Sequence, residues 1–371
     1  MKCTIERAAL LRSLRHVQGV VERKTTIPII GNVKLTAGDG LELVATDFDL
    51  TLRVREDATV ESPGSTTVHA HTLFDIVRKL PDGVLVRLAQ APGAAEIELV
   101  AGRSRFVLPT LPVDDFPVAG AEEPQVRFAL EPTALAKIID KARFAISTEE
   151  TRYFLNGLHL HASGDAATRK LRGVATDGHR LAMVETGPPA AAAAMPPVIV
   201  PRKTVGELRK LLDSASGEVT VGISNGWIEF VCGRATLHSR LIDGTFPDYE
   251  RVIPADHERV AVVAARSFGE SVDRVATIAI DKARPVKLAF DEGRLTVSVT
   301  TTEHGRAVEE LDCEYHGEPF EIGFNARYVL DVVAQVDGPE MRIEMTNAAS
   351  PAIVRDLADA AVLFVLMPMR L

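Results

Sequence analysis

Cysteine is scarce in this 371-residue chain. The three present, Cys3, Cys232 and Cys313, are odd in number and far apart, with no CxxC and no Cys/His metal spacing. That argues against a disulfide framework or a zinc site and favours reduced, structural thiols in a cytosol. Long apolar runs are missing too, and none approaches the roughly 20 residues a membrane helix needs. The start, Met1-Lys2-Cys3-Thr4-Ile5-Glu6-Arg7, has no apolar signal core and carries an early acid. A cytoplasmic protein with no membrane partner is therefore expected. The motifs of common catalysis are also absent: there is no G-x-S-x-G, no Walker loop and no G-x-G-x-x-G. Nor is there a basic excess. The net charge of −9 argues against wholesale electrostatic binding of nucleic acid, unless the charge is unevenly placed. A hydrophobic content of 46% and a charged content of 25% are those of a globular protein, and the length exceeds one ordinary core.

What the chain does have is repetition. Three segments share one order of events: an amphipathic helix, a strand, a second helix and more strands. The period is that of a whole domain, not of a solenoid unit. The first helices are expected over Ile5–Val17, Pro132–Ala145 and Ala265–Ile280. Their inward faces are Leu10, Leu14 and Val17; Leu135, Ile138, Ile139 and Ala142; and Phe268, Val272, Val275 and Ala279. Alternating, Val- and Thr-rich strands follow at Gly40–Asp47, Leu171–Asp177 and Arg294–Thr301. The second helices share a register within Thr67–Leu80, Ile199–Leu211 and Glu321–Val333, each leading into a strand at Val84–Ala89, Glu218–Ile223 or Glu340–Met345. Pro- and acid-bearing linkers fall at Val118–Pro124 and Val252–Glu258, while Gly187–Pro197 reads as a loop inside the middle repeat. The expectation is an α+β protein of three repeated domains, 1–120, 126–250 and 256–371, with each helix pair covering a sheet face.

One stretch looks chemical. Val174-Ala175-Thr176-Asp177-Gly178-His179-Arg180-Leu181 sets Asp, His and Arg within four residues. Asp177 and His179 could form an acid–base pair, but Asp177 and Arg180 converge only through a turn at Gly178. The plain reading is a turn with a hydrogen-bonded Asp and a solvated Arg. The same Val-Ala-Thr-Asp occurs at Val44–Asp47 without the His-Arg, which marks the strand as shared scaffold. His69 and His71 could be a metal pair, but no neighbouring ligand spacing supports them. The remaining signal is a basic bias on outward helix faces: Arg12, Arg15 and His16; Arg78 and Lys79; Lys137, Lys141 and Arg143; Arg202, Lys203, Arg209 and Lys210; Arg266, Arg274, Lys282 and Arg284; and Arg327. Acids gather elsewhere, as at Asp114-Asp115 and Glu309-Glu310.

These segments resemble, along the whole chain, the beta subunits of bacterial DNA polymerase III, the sliding clamps. The resemblance rests on Ile27-Pro28-Ile29-Ile30-Gly31-Asn32, Gly102-Arg103-Ser104-Arg105-Phe106, Arg152-Tyr153-Phe154-Leu155-Asn156-Gly157, Ala175–Ala182, Val200-Pro201-Arg202-Lys203, Phe246-Pro247-Asp248-Tyr249 and the terminal Met367-Pro368-Met369-Arg370-Leu371. It implies a non-catalytic processivity factor without cofactor or metal. Two chains would join head to tail into a six-domain ring, with twelve helices around a hole that admits double-stranded DNA of any sequence. It further implies DNA contacts at Lys24, Lys137, Lys141, Tyr153, Phe154, Arg202 and Lys203. The homodimer joint would involve Arg103, Arg105, Phe106, Ile278 and Glu303. A partner-peptide pocket would be formed by Arg152, Leu155, Thr176, Gly178, His179, Arg180, Leu181, Pro247, Arg251, Val252, Asn325, Tyr328, Val365, Met367, Pro368, Met369 and Arg370, with Leu155, Leu181, Val252, Val365 and Met367 as apolar walls. Its occupants would be short Gln/Leu/Phe motifs of the polymerase III catalytic subunit, the clamp loader, other polymerases, mismatch-repair proteins and ligase. Phe154 stands where Tyr is common, His71 where a basic residue is common and Ala283 where an aromatic is expected. Two alternatives remain at this point: a clamp paralogue with altered peptide or drug binding, and an enzyme using Asp177 and His179.

Overall fold

A computed structural model describes residues 1–117, 123–165, 168–187, 190–279 and 285–370. Positions 118–122 of the first expected linker, and Ile280, Lys282, Ala283 and Arg284, lie outside the described residues. Among those described there are six α-helices: α1 Arg7–Val20, α2 Ala70–Lys79, α3 Pro132–Ala142, α4 Arg202–Leu212, α5 Ala265–Val275 and α6 Ala326–Val333. They form for the reasons the pattern gives. Leu10, Leu14 and Val17 of α1 are buried, as are Leu73, Phe74 and Val77 of α2. Two starts are capped: the His69 ring accepts from Thr72 N, and Asn325 Oδ1 accepts from Arg327 N at 3.0 Å. α3 and α5 stop earlier than the periodicity suggests and tighten into 3₁₀ turns over Arg143–Ala145 and Ala276–Ile278.

The strands make four antiparallel sheets. Two of them cross repeat boundaries. An eight-stranded sheet carries Ala235–Arg240 of the middle repeat beside Leu50–Glu56 of the first, with Leu237 opposite Leu52. A nine-stranded sheet carries Val362–Leu366 of the third repeat beside Arg180–Thr186 of the middle one, with Ala182 opposite Phe364. The other two, of five and four strands, end at Ser104–Pro109 and Gly305–Asp312, edges without a partner strand among the described residues. Because sheets are shared, compactness does not follow the repeats. The chain clusters into two units: Met1–Ala136 and Lys203–Leu241 belong to one, Lys137 to residue 187 and Ile242 onward to the other. The sequence expectation of one sheet face per helix pair misses this sharing. Cys3, Cys232 and Cys313 are free and buried, and burial pushes each thiol up to about 11.

The repeated Thr-Asp closes the same turn twice. Thr46 Oγ1 accepts from Phe48 N at 3.1 Å, and Asp47 Oδ1 accepts from Asp49 N at 3.1 Å and Leu50 N at 2.7 Å. In the middle repeat Thr176 Oγ1 accepts from Gly178 N at 3.1 Å, and Asp177 Oδ1 accepts from His179 N at 2.9 Å and Arg180 N at 3.1 Å. Both turns need a left-handed residue. Gly178 takes φ 88° freely, whereas Phe48 is held at φ 80°, a strained value for a bulky side chain.

One glycine sets the distance of α3 from the nine-stranded sheet. A Cβ at Gly173 would lie 2.3 Å from Ile138 Cγ2. Gly173→Ala is expected to destabilise the chain by about 1–3 kcal/mol through overpacking, read from the urea midpoint.

Candidate functional site

The Asp177–Arg180 turn carries the middle repeat's distinctive side chains, and the structure gives each a physical task. Arg180 is not the solvated arginine of the plain sequence reading. It is 9% exposed and anchored on every side. Its Nε donates to Asp177 Oδ2 at 3.0 Å, its Nη2 to the Phe144 carbonyl at 2.8 Å, and its Nη1 to Asp331. The guanidinium also lies 5.0 Å from the Phe144 ring centre and 4.6 Å from that of Tyr328. Arg180 is thus a buried cation fixing three elements. His179 is exposed, and its ring stacks on Tyr328 at 6.1 Å. Asp177 spends its carboxylate on backbone amides and Arg180, so no Asp–His acid–base pair forms.

The C-terminal segment closes over this turn. Met367 N donates to the His179 carbonyl at 2.9 Å, and Met369 N to the Gly323 carbonyl at 2.8 Å, two residues before the Asn325 cap. Arg152 sits directly above Gly178, where any Cβ would meet its Nη1 at 2.4 Å, and its Nε donates to Glu149 at 2.8 Å. Leu155, Leu181 and Val365 are buried in one apolar cluster with Val174, Phe246, Tyr249 and Ile353. They lie beneath the surface, as an apolar floor. The exposed apolar surface is Val252 at 45% and Met367 at 38%. Pro247 and Arg251 are exposed on the same loop, and Arg251 Nε pairs with Asp248 at 2.7 Å. Thr176 turns its hydroxyl onto the Arg180 carbonyl at 2.7 Å. Pro368 is half-buried and Arg370 exposed.

Several expected phosphate contacts already have partners. Lys137 pairs with Asp359 at 2.6 Å, Lys141 with Asp337 at 2.8 Å, and Lys203 with Asp47. Most of the basic helix faces are likewise balanced locally, as in Arg12–Glu56, Arg266–Glu270 and Arg274–Glu309. Lys24 and Arg202 are exposed and make no ion pair among the described residues. Tyr153 is 54% exposed and meets the half-buried Phe154 edge-on at 5.8 Å. At the expected joint, Arg103, Arg105 and Glu303 are exposed, Phe106 and Ile278 half-buried, and Arg105 pairs with Glu98 of its own chain. His69 and His71 do separate jobs: His69 caps α2, and His71 Nε2 bonds the Val21 carbonyl at 3.0 Å. The sequence reading missed His159, His161 and Arg172, which grip the loop Phe246–Val252 from beneath. Its one available signal was a His pair spaced to share a strand face.

If Arg180 is structural, removing its charge should cost stability before anything else. Arg180→Gln leaves Asp177 and Asp331 without their buried cation, and a loss of about 3 kcal/mol is expected by chemical denaturation.

The comparisons with known proteins agree along the whole length. Residues 1–120, 129–248 and 250–370 match the N-terminal, central and C-terminal domains of the DNA polymerase III beta subunit. The beta sliding clamp of Caulobacter vibrioides is 51% identical over 371 residues, covering 100% of both chains. That of Escherichia coli K12 is 37% identical, again over 100% of both. A solved Caulobacter crescentus clamp superposes with a TM-score of 0.96, covering 100% of this chain and 99% of that one. A Bartonella birtlesii clamp bound to griselimycin, 44% identical and covering 100% of both chains, superposes with a TM-score of 0.97. Three clamp domains in one chain, built of helices on antiparallel sheets and matched along their whole length, place this protein in the DNA polymerase III beta subunit family, the non-catalytic sliding clamps of processive replication.

Proposed function

We propose that two copies of this chain join head to tail around duplex DNA in the cytoplasm, and that the surface around His179, Met367 and Val252 receives short peptides of replication and repair proteins. The observation that carries the ring is the order of strands. The last strand of the middle repeat's outer sheet, Ala235–Arg240, pairs with Leu50–Glu56 of the first repeat. The equivalent strand of the third repeat, Val362–Leu366, pairs with Arg180–Thr186 of the second. The same rule applied once more matches the first repeat's Ser104–Pro109 with the third repeat's Gly305–Asp312, both edge strands without such a partner among the described residues. Both edges carry exposed valines, Val107 at 52% and Val308 at 42%. A head-to-tail joint between copies satisfies both rows of backbone groups and lets the assembly close. Phe106 and Ile278 supply apolar contact there, and Arg103 faces acids such as Glu303. Lys24, Arg202 and Tyr153 are the exposed groups best suited to meet DNA, with the ion-paired Lys137, Lys141 and Lys203 and the half-buried Phe154 as further contacts.

The peptide surface combines exposed apolar side chains, a stacked His179–Tyr328 pair and the exposed cations Arg251 and Arg370. A motif with Gln, then Leu and Phe, fits this mixture. Burial of the two apolar side chains contributes roughly 3–6 kcal/mol before association costs, which points to micromolar binding of a single peptide. Such motifs would come from the polymerase III catalytic subunit, the clamp loader, other polymerases, mismatch-repair proteins and ligase. A flexible Met367 suits several partners.

Three measurements test this reading. Primer extension on circular DNA by the cognate polymerase and loader is expected to become processive when the chain is added, and calorimetry should show about fivefold weaker peptide binding for Met367→Ala with the dimer intact. Sedimentation of the wild type is expected to give a dimer at micromolar concentration, and Phe106→Ala should shift it toward monomer. A wild type that is monomeric under those conditions would falsify the head-to-tail joint.

A further inference from the structure

The loop that presents Pro247, Arg251 and Val252 rests on a column of rings. Phe246 stacks flat on His159 at 4.5 Å with an interplanar angle of 5°, and His159 lies 4.7 Å from His161. Both histidines belong to the strand Gly157–Ser163, two residues apart and so on one face. Three residues along the loop, the Tyr249 hydroxyl is held from two sides. Arg172 Nη1 reaches it at 2.7 Å and His161 Nε2 at 3.0 Å.

The hydrogen positions here follow from the partners. Arginine only donates, so the Tyr249 oxygen accepts from Arg172 and has its own proton to give to His161 Nε2. His161 Nδ1 faces the Ala162 carbonyl at 3.0 Å, which only accepts, so that nitrogen carries the ring's proton. Every group is satisfied in one state, the neutral imidazole with Nε2 bare. A second proton on His161 removes the acceptor, leaves the tyrosine proton without a partner and sets a cation against Arg172.

We propose that His161 is a positioning residue for the peptide site: with Nε2 unprotonated it holds the Tyr249 hydroxyl and thereby the loop Phe246–Val252, so that protonation of His161 loosens the loop and weakens peptide binding. This rests on the peptide-site reading above and adds to it a pH dependence set from beneath the site.

The charged groups around His161 have been placed on every element it meets. From the strand Lys170–Thr176 comes Arg172, whose Nη2 is shared with Glu185 of the neighbouring strand at 2.6 Å. From the loop comes Glu250, whose carboxylate also takes Arg172 Nη1 at 2.6 Å. From its own strand comes His159, buried with no partner at Nδ1. The two acids are engaged by Arg172, and of them Glu250 favours the charged ring, an effect that burial outweighs. Burial, assisted by Arg172, pushes His161 below its ordinary value, and burial beside His161 pushes His159 down to about 4. Both rings are therefore neutral at neutral pH, and each loses its stabilising contribution as the pH falls below about 6.5 toward the folded value, because the unfolded or loosened chain takes up the proton first.

The test uses the full chain and a fluorescent synthetic peptide containing Gln, Leu and Phe and no titrating side chain, with affinity read by anisotropy at about pH 7.5 and about pH 5. Wild-type affinity is expected to fall about fivefold or more across this range. His161→Gln offers an amide oxygen to Tyr249 and cannot charge; it should bind like the wild type at the higher pH and lose less than about twofold at the lower. Tyr249→Phe, with the strut cut, should bind several-fold more weakly at both. His179 is unchanged in all three proteins, so it cannot account for a difference between them, and circular dichroism at both pH values confirms that each is folded. A His161→Gln protein with the wild-type pH slope, or a Tyr249→Phe protein binding normally at the higher pH, overturns the proposal while the peptide site stands. A folded wild type that binds no peptide at the higher pH overturns the peptide-site reading and the proposal with it.

Discussion

An edge strand exposes a row of unpaired amides and carbonyls, and this architecture follows from where those rows are closed. Within the chain they are closed twice by joining sheets of successive repeats, Ala235–Arg240 to Leu50–Glu56 and Val362–Leu366 to Arg180–Thr186. The repeats are therefore not beads on a string. Each boundary carries a ladder of backbone hydrogen bonds, and the middle repeat is divided between two compact units because it gives a strand ladder to each neighbour. The edges Ser104–Pro109 and Gly305–Asp312 find no such partner among the described residues, and the joint proposed above would close both.

The Asp177–Arg180 turn shows how one repeat takes on a role its sister lacks. The Thr-Asp pair that shapes the turn is kept in both copies, with matching hydrogen bonds. In the first repeat the left-handed position holds Phe48, under strain. In the middle repeat glycine removes the strain and makes room for the Arg152 guanidinium. Arg180 then spans Asp177, Phe144 and Asp331, fixing the base of the turn while His179 remains outside. Two of the side chains that look like catalytic parts in the sequence, Asp177 and Arg180, act as framework because each is already satisfied by a fixed partner.

Much of this was legible in the residues. The helices of all three repeats follow from leucine and valine spacing, and the segments Thr67–Leu80, Ile199–Leu211 and Glu321–Val333 cover helices α2, α4 and α6, matching their ends within a residue but beginning three to five residues before their starts. Local rules sufficed because the apolar period is local. Sheet sharing was not legible, since nothing in Leu50–Glu56 says that its partner is Ala235–Arg240. At the site, the Gly178 turn was legible from glycine, but the burial of Arg180 was not, because Asp331 and Phe144 reach it from distant segments. Leu155, Leu181 and Val365 were read as pocket walls, and their burial became clear only once Phe246 and Tyr249 lay over them. The His159–His161 column was passed over because neither residue belongs to a recognisable motif.

Lys137, Lys141 and Lys203 are each held by a carboxylate of their own chain. A phosphate that approaches such a lysine must displace an anion already in place, so little binding energy is gained at any one step along the duplex. Attraction to DNA normally grows with each counterion released from the backbone. Here the chain supplies its own counterions to these lysines, so in the ring proposed above the potential along the duplex would be flat, and retention would come from the closed shape with little friction.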